Sequence, residues 1–525
     1  MNSKIIGFTV SKDIISHSDI DIFDVGLNLI KKEYAGFNIY LWGIGEIEGA
    51  IVNGSYTLSF PYTSSLNDRN VLITLSEGVI IIDNDWLGSI PVYYNPVAKI
   101  ISTLPLKCVR GKGVDSEGLL YYLQHGYALY GKTYRKDVCQ MSYCSTLIIE
   151  EKFKLVQRED PALALVDAKE NSDEVEVINT IRKYINEVEN KIPNKIILPT
   201  SGGYDSRLLN ALVTNKDRIL SYTYGLSENS GLCYQVQYAK ELSTRLNTQW
   251  KEIEFGDFWC EIGPWFKLYG QTTHLHGMYQ IDFYRKIKAL HKGNETLSLL
   301  SGIVGDMWSG GKECKGIFKY DQLSELSLSY GVNIEKKHTF QKAFPIKKKE
   351  FYLKNKKPLH EPMYQAVATI RAKITLLSYL MQVPEYFGFL SWSPFLNFNV
   401  ASIMLRLPNE RKKNRVWQSD YFKSNNIDIE NSNFQNIQYY NNVMNDTVRS
   451  HEFEPLDVAF LEQYVNKSHL LTINKRMAGV GISANLYNYI MEKKWTEKLL
   501  RRGFGMKRAY VEYMVLKGLE MGLKA

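Results

Sequence analysis

The chain of 525 residues is 45% hydrophobic and 23% charged, a balance that fits a folded protein with ample core and excludes a disordered or low-complexity chain. Its 64 basic and 56 acidic residues leave a net charge of +8, and no interleaving of basic and aromatic residues points to nucleic acid as a partner. No apolar run reaches the roughly 18 residues of a membrane span, no secretory signal opens the chain, and the six cysteines include no Cys-x-x-Cys pair, so a cytoplasmic protein without a transmembrane segment or thiolate zinc site is expected.

From Lys4 to about Gln157, short strands alternate with turn signals such as Asn53-Gly54 and Asn67-Asp68. The strands are Ile5 to Val10, Asn38 to Trp42, Tyr56 to Phe60, Val71 to Thr74, Gly78 to Asp83 and Leu147 to Glu150. This pattern predicts a two-sheet α+β sandwich over residues 1–160. Inside it, Gly126-Tyr127-Ala128-Leu129-Tyr130-Gly131-Lys132-Thr133 matches Gly-x-x-x-x-Gly-Lys-Thr, but it follows a helical run, Leu119 to Leu123, and precedes an expected strand, Arg135 to Val138. A P-loop needs the reverse context, strand before and helix after. Polar and acidic residues from Asp160 to Glu176 mark a linker, placed at 161–180. An amphipathic helix, Val177 to Ile192, then leads into a second domain over 181–525.

That domain opens with the most informative run of the chain. Lys195 to Leu198 is an apolar strand, Pro199-Thr200-Ser201-Gly202-Gly203 frees the backbone, and Leu208, Leu209, Ala211 and Leu212 continue at helical spacing. Strand, glycine turn and helix N-terminus together make an anion site. The loop Ser201-Gly202-Gly203-Tyr204-Asp205-Ser206 has no Gly-Lys-Ser/Thr and takes its charge from Asp205, so it resembles the pyrophosphate loop of N-type ATP pyrophosphatases rather than a Walker loop. Arg207, next in line, is either a phosphate-facing cation or a structural salt-bridge partner.

The β-α alternation continues. Ile219 to Tyr224 reads as a second strand, Val236, Ala239, Leu242 and Leu246 as one helix face, Trp250 to Phe255 as a third strand, and Thr296 to Leu300 as a fourth that runs into Ser301-Gly302-Ile303-Val304-Gly305-Asp306-Met307. Ligands of open parallel sheets collect at the carboxyl ends of strands, so Asp205 and Asp306 are expected to share one Mg²⁺ there. Taken alone, Asp306 fits a turn cap equally well. His274 and His276 lack a third ligand in sequence reach and read as packing or substrate contacts. From about Tyr364 onward the pattern is helical, clearest over Ala366 to Met381. Between Lys336 and Lys357, nine lysines face Glu350 alone, either a solvated insertion or a landing surface for an anionic partner.

Taken in order, these motifs resemble the asparagine synthetase family over most of the chain. Besides the loop, Ser393-Pro394-Phe395-Leu396-Asn397 with Leu407-Pro408 is similar to that family's Pro-Phe-Leu-Asp and Leu-Pro pair, and Asp85-Trp86-Leu87-Gly88-Ser89-Ile90-Pro91-Val92-Tyr93-Tyr94 to a segment of its glutaminase-like domain. The resemblance implies an Ntn-type two-sheet sandwich followed by a parallel-sheet ATP pyrophosphatase domain (adenine nucleotide α-hydrolase-like) with a helical carboxyl-terminal part. It implies ATP and Mg²⁺ as cofactors, held by Leu198, Thr200, Ser201, Gly202, Gly203, Asp205 and Ser206, with Tyr224, Gly225 and Leu226 at adenine and Ser301 and Gly302 in the second contact segment. Asp205 and Asp306 are the implied metal ligands and catalytic carboxylates, and Arg415 or Lys423 the cation that stabilises the pentavalent phosphorus.

Two departures redirect the expected chemistry. The family's amino-terminal nucleophile is a cysteine after the initiator methionine, whereas Met1-Asn2-Ser3 stands here, so a glutaminase-inactive amino-terminal domain and an unassigned amine donor are expected. Two family glutamates are replaced by Ile303 and Met307, which points to an altered acceptor. The expected activity is adenylation of a small-molecule or glycan-linked carboxylate, such as a uronic acid of a surface polysaccharide precursor, followed by amide formation. The alternatives are a lasso-peptide-type macrocyclase and a non-catalytic ATP-binding scaffold. Family members pair through their amino-terminal domains, which makes a homodimer one assembly to test.

Overall fold

The computed structural model describes residues 3–47, 51–192, 195–225, 233–291, 296–327, 334–339, 344–430, 432, 451–478 and 506–525. Met1, Asn2, Leu226, residues 340–343 of the lysine-rich stretch and the side chain of His276 lie outside the described set. The chain is a mixed α/β protein with two antiparallel sheets and one parallel sheet.

Twelve strands build the antiparallel part: β1 (Lys4–Ser11), β2 (Asn28–Tyr34), β3 (Phe37–Ile44), β4 (Ile51–Val52), β5 (Ser55–Thr57), β6 (Val71–Ser76), β7 (Val79–Asn84), β8 (Tyr93–Asn95), β9 (Ile100–Ser102), β10 (Cys139–Gln140), β11 (Ser145–Ile149) and β12 (Phe153–Gln157). They pair as β10-β8-β9-β1-β3-β2 and β12-β11-β7-β6-β5-β4. Alternate residues from the facing sides, Phe8, Val10, Ile39 and Leu41 against Ile73, Ile80, Ile82 and Leu147, fill the space between the sheets. The second sheet meets solvent on its far side, so β7 buries every other residue. The first sheet is covered on both faces, and β1 is buried at all eight positions.

Strands β2, β4, β8, β9, β10 and β12 were not among those expected. Strand β2 is an edge whose Lys31, Lys32 and Glu33 discourage further pairing, and those charges also hide its strand pattern. Conversely, no strand forms over Arg135 to Val138. The Thr133 hydroxyl lies against the carbonyls of both Arg135 (3.1 Å) and Val138 (2.9 Å), curling that segment, which retains only an isolated bridge between Arg135 and Val114.

Helix α1 (Ser116–His125) lies within this part, and α2 (Glu174–Glu189) begins inside the linker expected at 161–180. The latter starts three residues before the expected Val177 because Asp173 caps it, accepting from the Glu176 amide at 2.7 Å. The linker is itself packed, with Ala162 and Leu165 buried.

Strands β13 (Ile196–Pro199), β14 (Ile219–Gly225), β15 (Gln249–Glu254), β16 (Leu297–Leu300) and β17 (Phe389–Trp392) form a wholly parallel sheet in the order β15-β14-β13-β16-β17. Strand β17 stands where the sequence pattern predicts helix. It is four fully buried residues between Gly388 and Pro394, and a short apolar run carries no period that separates strand from helix. The helices of this part include α3 (Tyr204–Leu212), α4 (Tyr234–Leu246), α5 (Ile262–Tyr269), α6 (Tyr279–Leu290), α7 (Gly305–Ser309), α8 (Ile346–Asn355), α9 (Pro362–Leu377), α10 (Tyr379–Tyr386), α11 (Phe398–Leu405), α12 (Asn409–Lys412) and α13 (Val416–Ser424).

The two parts share one continuous core on the outer face of the first antiparallel sheet, where Ile6, Tyr40 and Trp42 meet side chains from α9 and α10. Buried polar groups fix the contact. Glu385 of α10 receives Lys4 of β1 and a two-pronged Arg69 at 2.7 and 3.1 Å. Arg371 of α9 grips both oxygens of Asp160 at 2.6 Å and the Trp86 carbonyl, while the Trp86 indole donates to the Leu396 carbonyl at 2.8 Å.

Candidate functional site

Strand β13 is central, and the chain continues to β14 and β15 on one side while β16 and β17 flank the other. The crevice between the ends of β13 and β16 is therefore the topological switch point, where open α/β sheets bind ligands. The two glycine-bearing turns both open there.

After β13, Thr200 is tied down on all sides. Its amide donates to the Tyr222 carbonyl at 2.8 Å, its hydroxyl to the Leu198 carbonyl at 2.9 Å, and Asn210 donates to that hydroxyl at 3.0 Å. The chain then turns through Gly202 at φ +67°, and a Cβ there would stand 2.3 Å from Cβ of Tyr238. Only glycine fits. Gly203 caps α3 with no side chain on the helix N-terminus, leaving the first-turn amides without a capping oxygen. Gly202→Ala is expected to distort this turn and lower the thermal unfolding midpoint, with the secondary structure retained by circular dichroism.

Asp205 sits in the first turn of α3 and points toward the second segment. A Cβ built on Gly302 would lie 3.3 Å from Cβ of Asp205, and one on Gly305 would lie 3.0 Å from its Cγ. The residue as a whole is only partly buried, but its Oδ1 is sealed from solvent without a hydrogen-bond partner. Burial, and next the charge of Asp306, push its carboxyl up to about 7, while Arg415, Gln418 and the Asp306 amide pull the other way. The Gln418 amide comes near without forming a well-shaped hydrogen bond, for both of its polar atoms are buried and unmatched. A second carboxylate beside Asp205, with an orphaned oxygen on the first, makes a donor set suited to a hard divalent cation.

The second segment is strained. Val304 occupies the left-handed region at φ +59°, where a β-branched residue is a genuine outlier, and so lets Asp306 open α7. Behind it, Gly310 at φ +94° admits the carbonyl of Lys412, which a Cβ would meet at 2.2 Å. That close approach brings in the turn after α12, where Asn414 and Arg415 both adopt left-handed conformations, φ +55° and +56°. Arg415 consequently stands over the Tyr204 ring, 4.6 Å from its centre, and its charge reaches Asp205.

The other expected site residues have varied settings. Lys423 is on the exposed side of α13, 3.9 Å from Asp420, and is not among the groups around Asp205. Arg207 is buried. It donates to both oxygens of Glu430 at 2.8 Å and to the Gly202 carbonyl at 2.8 Å, which makes it a structural clamp on the loop rather than a phosphate-facing cation. Burial raises the Glu430 carboxyl, but the Arg207 and Asp428 hydrogen bonds outweigh it and hold it low. Tyr224 and Gly225 end β14 on the far side of the loop, with the Tyr224 ring packed against Phe255, Tyr279 and Phe283. Ser301 accepts the Ile303 amide on its hydroxyl, and Ile303 and Met307 are buried apolar residues. His274 is buried, and its carbonyl accepts from the Trp265 indole. The Walker-like segment is occupied with its own structure, since Lys132 donates to Asp115 at 2.6 Å. Among the described residues, no group of three or more His, Cys, Asp or Glu side chains forms a metal cluster.

Four participants escaped the sequence reading: Gly305, Gln418, Tyr204 and Lys373. The last, on α9, has its ammonium lowered by burial and by the charge of Lys312, and interacts with Asp306. Gln418 and Lys373 have no local signal, since each reaches the site from a separate element, whereas Tyr204 and Gly305 stand inside the two quoted motifs with no role assigned to them there.

No protein-family model matches the chain, and no curated protein matches it. Its neighbours among solved structures include two NAD synthetases. One is an NH3-dependent NAD synthetase from Campylobacter jejuni in complex with the nitrate ion, at 16% identity and TM-score 0.20, covering 35% of this chain and 85% of that one. The other is a glutamine-dependent NAD+ synthetase from Acinetobacter baumannii in complex with ADP, at 12% identity and TM-score 0.20, covering 44% of this chain and 39% of that one.

Proposed function

We propose that the protein is an ATP-dependent amide-forming ligase of the asparagine synthetase type, which adenylates a substrate carboxylate with release of diphosphate and then lets an amine displace AMP. The observation that carries this reading is the meeting of Asp205 and Asp306 at the ends of adjacent parallel strands, beside an uncapped helix N-terminus.

In this reading the amides and hydroxyls of Ser201, Gly202, Gly203 and Ser206 hold the departing β and γ phosphates. Leu198, Thr200, Tyr224 and Gly225 line the adenosine side, and Ser301 and Gly302 close the crevice from the second segment. Asp205 and Asp306 would hold Mg²⁺, which when bound offsets the charge of the leaving diphosphate. The chain's own contribution is positioning and charge: Arg415, fixed by its left-handed turn and the Tyr204 ring, faces the reacting phosphorus. Lys373, beside Asp306, supplies a second cation at the same mouth. The antiparallel sandwich of residues 1–160 is the glutaminase-like half and braces the site through the Glu385 and Arg371 contacts.

The test is exchange of labelled diphosphate into ATP across a panel of carboxylic acids. Exchange that requires one of them is expected, and Arg415→Ala should lower it about 10²–10³-fold with ATP affinity changed far less. Binding of ATP without exchange for any acid would instead favour the non-catalytic reading, to which the buried, apolar Ile303 and Met307 give a specific foothold.

A further inference from the structure

We infer that α8 is a membrane-docking element that seats the protein on an anionic bilayer surface. The inference stands apart from the ATP site and uses none of its residues.

Helix α8 is already anchored on one face. Tyr352 donates to the Phe318 carbonyl at 2.9 Å, and Phe351 packs on the Tyr130 ring at 5.2 Å. With that face satisfied, the opposite one carries Ile346 and Leu353, seven residues and two turns apart, at 59% and 64% exposure, and Phe344 just before the helix stands 84% exposed. A scattered exposed apolar residue means little, but this grouping on one helix does not fit a face built only for water.

The surrounding charge selects the occupant. Residues 346–357 contain six lysines and one acid, Glu350. Lys347 pairs with that glutamate at 2.7 Å, whereas Lys349, Lys356 and Lys357 have no carboxylate within ion-pair distance among the described residues. A soluble polyanion would engage the lysines and gain nothing from isoleucine, leucine and phenylalanine among them. A bilayer of anionic lipid uses both, lysines at the headgroups and apolar side chains at the acyl boundary.

The experiment is co-sedimentation of the full chain with phosphatidylcholine vesicles, with and without about one-third phosphatidylglycerol. Binding is expected only to the phosphatidylglycerol vesicles, and should fall several-fold between about 0.05 M and about 0.5 M salt. Ile346→Ser with Leu353→Ser, and separately Lys349→Glu with Lys356→Glu, should each cut the bound fraction by about tenfold, with unchanged thermal unfolding because all four side chains face solvent. Failure of the wild-type chain to sediment with phosphatidylglycerol vesicles overturns the inference. So does binding that survives loss of the apolar pair, or equally tight capture of a single-stranded oligonucleotide by both the wild type and that pair variant, since these mark a general polyanion patch.

Discussion

Asp205→Asn is expected to make the metal-free protein melt higher than wild type at pH 8 while removing diphosphate exchange altogether. The two effects have one cause. Asp205 has its carboxyl raised to about 7 by burial and by Asp306, against an ordinary value of 3.8, so the folded state holds a proton that the unfolded chain has already released. Between pH 4 and 7 the folded form therefore binds more protons, and stability falls as pH rises through that window; above pH 7 the full cost of an ionised, crowded carboxylate is present. The ceiling for such a shift is about 4 kcal/mol, and the residue's partial exposure reduces the expected gain from the amide to on the order of 1–2 kcal/mol at pH 8, vanishing near pH 4. The same amide cannot ligate Mg²⁺ with a negative charge, so exchange should drop by at least about 10³-fold. A melting temperature that is lower than wild type at pH 8 and higher at pH 4 would reverse the electrostatic account.

Glu385→Gln is the largest stability loss expected from any single change. Lys4, Arg69 and Glu385 are buried to within 7% or less of full enclosure, and among the described residues the glutamate is the carboxylate that forms an ion pair with both cations. Burial is the main cause, and the nearby Arg69 charge a lesser one, of the Lys4 ammonium falling to about 8, with Glu385 opposing both. Without that carboxylate, two cations are left in the core, a change that costs about 3–5 kcal/mol. Urea unfolding should show the midpoint lowered with the slope unchanged, and Lys4→Met added to Glu385→Gln should recover part of the loss. A loss under about 1 kcal/mol would mean that solvent reaches the triad.

The turn after β13 was legible because everything that makes it lies within about a dozen residues: an apolar strand, a glycine, Gly202, where the backbone turns left-handed, and helical spacing behind. Asp306 was legible only by pairing, since the order of β-α units placed it at a neighbouring strand end. The position of Arg415 over the Tyr204 ring was not, because it turns on two consecutive left-handed residues, Asn414 and Arg415, neither of them glycine, and on the close approach of the Lys412 carbonyl to Gly310. The Glu385 triad joins residues 381 and 316 positions apart, beyond any periodicity. Edge strand β2 was concealed by the same lysines that keep it from pairing further.

The central claim is that Asp205 and Asp306 share one divalent ion with the diphosphate of a nucleotide. Titration of Mn²⁺ in the presence of ATP, followed by the loss of the free-ion paramagnetic signal, tests it without knowledge of the substrate. One ATP-dependent Mn²⁺ site is predicted in the wild type, lost in both Asp205→Asn and Asp306→Asn and kept in Lys423→Ala; an undiminished site in either aspartate variant would contradict the claim.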